Sequence, residues 1–281
     1  MTNFEKILTI QDISCFGQCS LTVALPILSA CGIETAILPS AVLSTHTGGF
    51  TGYTCRDLTD DIPLIEKHWK KEGISFDAIY TGYLGSTRQI DYVKDIFKTL
   101  NMKNGLSIVD PAMADHGKLY PAFNAEFVDA MKTLCFSADI ILPNITEACL
   151  ITDTPYPERY DEPFIKELLN KLVEHGAKTI ILKGIGYDPK TTGVIILENG
   201  ETKYYKHQRI SKDFHGTGDV FASAFTGALG NGISCYNAAK IAADFTVRCI
   251  ENTADDPSHW YGVKFEKTLP ELISAINHNK D

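Results

Sequence analysis

Short apolar runs alternate with longer amphipathic stretches along most of this 281-residue sequence. That alternation restricts the fold more than any other feature. Lys6 to Ile10 reads as a strand, and Ser20 to Cys31 as a helix with Pro26 as its weak point. Strands follow at Glu34 to Leu38, Ala78 to Thr81, Leu106 to Val109, Asp139 to Leu142 and Thr179 to Leu182. Helical periodicity fills the intervals at Asp60 to Lys71, Thr87 to Leu100, Phe123 to Leu134 and Glu162 to Glu174, the last closed by Gly176. Asp219 to Leu229, Ala238 to Ile250 and Pro270 to Ile276 complete the helices. Strands that alternate with helices of this length pair in parallel through crossovers, which predicts an α/β fold with a largely parallel central sheet. Asn199-Gly200 lies between Val194 to Leu197 and Thr202 to Tyr205 and signals a hairpin, hence an antiparallel edge. No linker, low-complexity tract or repeat interrupts the pattern, so residues 1–281 are expected to form one domain.

Several partner classes are disfavoured. Acidic residues outnumber basic ones 35 to 26, a net charge of −9, which argues against general nucleic-acid or anionic-membrane binding. No apolar run reaches the roughly 18 residues of a membrane span. Met1 to Lys6 lacks the apolar core of a secretory signal. The eight cysteines include no CxxC pair. Cys15 and Cys19 form a CxxxC with no second pair at zinc-ligand spacing, so reduced cysteines and a cytoplasmic location are expected.

In open α/β sheets, ligands bind beyond the carboxyl ends of the strands. Asp12, Asp110, Asn144 with Glu147, and Lys183 all fall there. Each alone could be a turn or a helix cap; together on one sheet edge they favour a polar site. The sharpest local signal is Phe214-His215-Gly216-Thr217-Gly218-Asp219-Val220-Phe221-Ala222. Its two glycines let the backbone approach a ligand, and the helix that follows points free N–H groups and its positive dipole end at an anion. Asp219 at the helix start could accept a proton from an attacking hydroxyl while those N–H groups hold phosphoryl oxygens. The plainer alternative is an Asp that caps its own helix after a glycine turn. No Walker-A, GxGxxG or GxSxG motif is present. His116, His207 and His215 share no metal-ligand spacing and read as loop or satisfied core histidines.

The GTGDVFASAF run, together with Asn144-Ile145-Thr146-Glu147, resembles the ribokinase-like superfamily. Within it the chain is similar to the vitamin B6 kinases. Ile10-Gln11-Asp12 with Gly17, Ser44-Thr45-His46-Thr47, Thr81-Gly82-Tyr83-Leu84-Gly85-Ser86, Val109-Asp110-Pro111-Ala112-Met113, Leu142-Pro143-Asn144 and Ile181-Leu182-Lys183 carry the resemblance across roughly residues 5 to 250. It implies a three-layer α/β/α sandwich and ATP-dependent phosphorylation of the hydroxymethyl group on a pyridine ring. It implies Asp219 as general base and Gly216, Thr217 and Gly218 as anion hole. Asp110 and Glu147 would lie near Mg²⁺ and the nucleotide phosphates, supported by Asn144, with Lys183 and the backbone of Leu142 as nucleotide contacts. Thr47, Tyr83 and the adjacent His46 would line the B6 ring. A homodimer is also implied, and a requirement for a monovalent cation such as K⁺ is left open. Where many B6 kinases have Ser, this chain has Asp12, whose carboxylate could pair with a protonated pyridine nitrogen or only shape the turn.

Two rival readings remain. A hydroxymethylpyrimidine kinase of thiamine synthesis shares the fold and takes an acceptor of similar size, but the Asp at 219 and the TGYLGS run favour B6. A non-catalytic B6-binding protein would have no use for a base at Asp219.

Overall fold

The structure, a computed structural model, describes residues 3–212 and 214–279. Met1 and Thr2, at the head of the segment read for a leader, lie outside the described residues. In chain order the elements are β1 (Lys6–Ser14), α1 (Leu21–Ala30), β2 (Glu34–Leu43), β3 (Cys55–Asp57), α2 (Ile62–Lys71), β4 (Phe76–Thr81) and α3 (Thr87–Thr99). Then come β5 (Asn101–Val109), β6 (Ala114–Asp115), β7 (Lys118–Leu119), α4 (Ala125–Ser137), β8 (Ile140–Ile141), α5 (Ile145–Ile151) and α6 (Glu162–Glu174). The chain ends with β9 (Thr179–Lys183), β10 (Thr191–Glu198), β11 (Glu201–Gln208), α7 (Thr217–Gly230), α8 (Cys235–Ala254) and α9 (Leu269–His278).

One nine-stranded sheet runs in the order β11-β10-β9-β8-β5-β4-β1-β2-β3. The six strands from β9 to β2 pair in parallel. β10 and β11 form the antiparallel edge expected around Asn199-Gly200. A second antiparallel edge, β3 against β2, was not legible in the sequence; three exposed residues carry no hydrophobic period. Successive strand residues point to opposite faces, and both faces are covered. Ile7, Tyr80, Ile108, Ile140 and Ile181 pack with α1, α7, α8 and α9. Leu8, Ile79, Val109, Ile141 and Ile180 pack with α2 to α6. The result is the three-layer α/β/α sandwich that the resemblance implies.

Three local features differ from expectation. α5 has only seven residues, too short for periodicity to show. The β6–β7 hairpin lies between the expected Leu106 to Val109 strand and Phe123 to Leu134 helix, where the sequence predicts no strand. Pro26 lies inside α1 without ending it; burial of Val23, Ala24, Ile27 and Leu28 holds a helix whose ladder Pro26 interrupts. Among the described residues no helix is long and apolar enough to cross a membrane.

Candidate active site

Parallel pairing puts the carboxyl ends of β1, β4, β5, β8 and β9 on one edge. The polar residues singled out in the sequence are thereby gathered together: Asp12 in β1, Gly82-Tyr83 after β4, Asp110 after β5, Asn144 after β8 and Lys183 at the end of β9.

The first turn of α7 faces this edge. Gly216 sits at its N-cap with φ 74°, in the left-handed region that favours glycine. A Cβ there would come within 1.8 Å of the Gln18 carbonyl oxygen. No side chain caps the helix, so its first N–H groups are left for a ligand. Thr217 turns its hydroxyl back to the Phe214 carbonyl at 3.3 Å, and Gly218 faces the Lys183 ammonium. Asp219 does not cap its own helix. Its carboxylate accepts the Ser20 N–H at 2.9 Å, a donor from the β1–α1 loop held with φ 54° at Ser20. Burial pushes the Asp219 carboxyl up to about 7; the Ser20 N–H opposes this, while Asp110 and Asp12 add to it.

Asp110 and Lys183 form an ion pair at 2.6 Å with little exposure of either side chain. Burial raises the Asp110 carboxyl and Lys183 pulls it back. Burial would lower the Lys183 ammonium, but the carboxylates of Asp110 and Glu147 outweigh it and hold the group above its ordinary range. Asn144 and Glu147 form a capping box at the start of α5. The Asn144 side-chain oxygen accepts the Glu147 N–H, and Glu147 Oε2 accepts the Asn144 N–H, both at 2.9 Å. Glu147 Oε1 takes the Met113 N–H at 3.0 Å, and the Asn144 amide donates to the Ala114 carbonyl at 2.8 Å. Glu147 is therefore buried with both oxygens engaged, and it ties the Asp110–Ala114 loop to α5. Burial and the Asp110 carboxylate push it upward. Leu142 is wholly buried in the core beneath α7, and its N–H is spent on the Val109 carbonyl.

On the other side of Asp219 lies Asp12, 4% exposed, which accepts the Ser14 hydroxyl at 2.9 Å. Burial raises it. Asp12 adds to the burial that raises the Tyr83 phenol to about 12. The half-buried Tyr83 ring lies 5.4 Å from Phe123. Thr47 is exposed on the loop between β2 and β3. His46, expected beside the ring-lining residues, is buried with both ring nitrogens occupied.

Three contributors carried no sequence signal. Ser20 acts through its N–H. Cys19 is a thiol lifted by burial and, further, by Asp219 and Asp12. Tyr120 follows β7, and burial, Glu147, Asp115, Asp219 and Asp110 all raise its phenol. Among the described residues no cluster of three or more His, Cys, Asp or Glu makes a metal cage. A carboxylate held by one backbone N–H, beside an uncapped helix N-terminus and a buried Lys–Asp pair, can remove a proton while polyphosphate charge is held.

A family model described as phosphomethylpyrimidine kinase matches residues 63–262. The pyridoxal kinase of Haemophilus influenzae is 25% identical over 82% of this chain and 83% of its own length. The hydroxymethylpyrimidine/phosphomethylpyrimidine kinase of Bacillus subtilis is 27% identical over 87% and 82%. A crystal structure of a candidate phosphomethylpyrimidine kinase from Bacteroides thetaiotaomicron, in a form with pyridoxal, superposes with a TM-score of 0.89. It is 37% identical, with 96% of each chain covered.

Proposed function

The chain belongs to the phosphomethylpyrimidine kinase family, and we propose that it transfers the γ-phosphoryl group of ATP to the hydroxymethyl oxygen of pyridoxal, pyridoxine or pyridoxamine. The observation that carries the reading is the Asp219 carboxylate, held by the Ser20 N–H at the uncapped start of α7. As the hydroxymethyl oxygen forms its bond to the γ-phosphorus, Asp219 accepts the hydroxyl proton. The bond from that phosphorus to the β–γ bridging oxygen breaks, and ADP leaves. The free N–H groups of the first α7 turn hold the transferring oxygens, so the site supplies position and charge stabilisation more than covalent chemistry. Lys183, steadied by Asp110, neutralises nucleotide phosphate charge.

The donor set fits a magnesium ion carried mainly by the nucleotide. Asp110 offers a carboxylate contact, whereas both Glu147 oxygens already accept backbone N–H groups. Magnesium typically takes one or two carboxylates with phosphates and water, and when bound it supplies further charge neutralisation.

Support for a B6 acceptor comes from the 37%-identical Bacteroides protein crystallised with pyridoxal, from Asp12 near the base and from Tyr83 near Asp12. The second reading, hydroxymethylpyrimidine as acceptor, is favoured by the Bacillus relative. ADP release with Mg²⁺, ATP and each acceptor in turn tests both. B6-dependent release above that with hydroxymethylpyrimidine, ribose or no acceptor is expected. Release only with the pyrimidine transfers the chain to the second reading, and none with any acceptor refutes kinase activity.

A further inference from the structure

His46 joins several segments around the site. It is 5% exposed, and its two nitrogens point to opposite partners. Nε2–H donates to the Tyr261 carbonyl at 3.0 Å, and Nδ1 accepts the Gly48 N–H at 3.1 Å. A carbonyl can only accept and an amide N–H can only donate, so the ring is the neutral tautomer with its proton on Nε2. The backbone N–H of His46 bonds the Phe16 carbonyl at 3.3 Å, and the Tyr261 carbonyl also takes the Gln18 N–H at 3.1 Å. The β1–α1 loop, the loop between β2 and β3 and the C-terminal Trp260–Tyr261 segment therefore meet at one imidazole.

Contacts extend from there to the start of α7. The His46 ring centre lies 5.3 Å from that of His215, the residue before the N-cap Gly216. A Cβ on Gly48 would come within 2.5 Å of His215 Nδ1, so the loop packs directly against the entry to α7. On its other side His46 is 5.0 Å from Phe50, whose ring is 4.5 Å from Trp260. A side chain bonded at both ends is fixed in one orientation and has little freedom to adapt to a ligand.

We propose that His46 is a positioning residue: it locks the acceptor loop around Thr47 and the His215–Gly216 entry to the anion hole onto Tyr261, so that both halves of the site hold one arrangement. The roles of acceptor loop and anion hole rest on the kinase reading above, whereas the lock itself is a property of the fold and has its own readout. Trp69 and Trp260 are the two tryptophans. In a Trp69→Phe background, Trp260 emission and acrylamide quenching report its packing against Phe50.

The test compares His46→Leu, which loses both bonds, with His46→Asn and His46→Gln. The Asn amide reaches as far as Nδ1 and can accept from Gly48; the Gln amide reaches as far as Nε2 and can donate to Tyr261. Trp260 quenching is measured for each, together with kcat and the KM values for pyridoxal and ATP. His46→Leu is expected to raise Trp260 quenching and to lower kcat about ten- to a hundred-fold through misplacement of the reacting groups. Pyridoxal KM should rise while ATP KM stays near wild type. Asn and Gln, each restoring one bond, should fall between Leu and His. A Leu variant with raised pyridoxal KM but wild-type quenching and kcat would make His46 a simple ring contact and overturn the proposal. If His46→Leu does not fold, wild-type quenching and kcat in both amide variants overturn it. A wild type that phosphorylates no B6 vitamer refutes the kinase reading alone, and the quenching series still decides the lock.

Discussion

Replacing Asp219 by Asn keeps an oxygen for the Ser20 N–H and removes only the charge and the ability to take a proton. Its effects on turnover and on stability are opposite in sign. Burial raises this carboxyl from its ordinary 3.8 to about 7, a difference of about 4 kcal/mol at about 1.4 kcal/mol per pKa unit. Asp219 is only partly buried, so solvent screens its carboxylate and about 2 kcal/mol is the working figure. A group whose folded pKa is raised favours the fold fully below its unfolded pKa, and that contribution is lost as pH rises through the folded value. Between pH 5 and pH 8 the wild type should therefore lose about 1–2 kcal/mol relative to Asp219→Asn. Urea unfolding of both proteins at the two pH values measures this. The same variant should lose about a hundred- to ten-thousand-fold in kcat for ADP release, the typical contribution of a positioned general base. Turnover near wild type, or a stability difference that ignores pH, would refute the assignment of Asp219 as a buried base.

The pH profile of kcat/KM should rise with pH to a plateau, with an apparent pKa near the value of about 7 for Asp219; a profile flat from pH 5 to 8 contradicts this. Lys183→Met leaves the buried Asp110 carboxylate unpaired. It should cost about 3–5 kcal/mol in urea unfolding and raise the KM for ATP more than that for the acceptor. Gly216→Ala forces a Cβ onto the Gln18 carbonyl at positive φ. It should abolish most ADP release, and near-normal kinetics would show that the start of α7 is not used. Asp12→Asn keeps the Ser14 contact and should raise the pyridoxal KM while leaving the ATP KM unchanged, as separate titrations of the two substrates would show.

Much of the architecture was legible in the sequence because burial on both faces writes parallel strands as short apolar runs. Ile79-Tyr80 and Ile180-Ile181 each send one side chain to either core. The site was legible to the same depth: Asp12, Asp110, Asn144 and Lys183 follow such runs, and parallel pairing must bring them to one edge. Backbone chemistry was not legible. The Ser20 N–H reaches Asp219 across 199 residues, and nothing in the identity of a serine announces a donated amide. Glu147 is a carboxylate by sequence, but folding spends both of its oxygens on N–H groups. His46 is similar: the family resemblance put it beside the acceptor ring, and only the fold shows both nitrogens occupied. Tyr120 follows the two-residue strands β6 and β7, which are too short to show a period.

The alcohol that receives the phosphate decides the function. The most direct test supplies purified protein with Mg²⁺, ATP and equal concentrations of pyridoxal and hydroxymethylpyrimidine, then measures both phosphate esters at early times. Their ratio equals the ratio of kcat/KM for the two acceptors. The account predicts pyridoxal 5′-phosphate as the dominant product, and loss of both esters in Asp219→Asn. Dominant hydroxymethylpyrimidine phosphate would contradict the acceptor assignment while leaving the role of Asp219 intact.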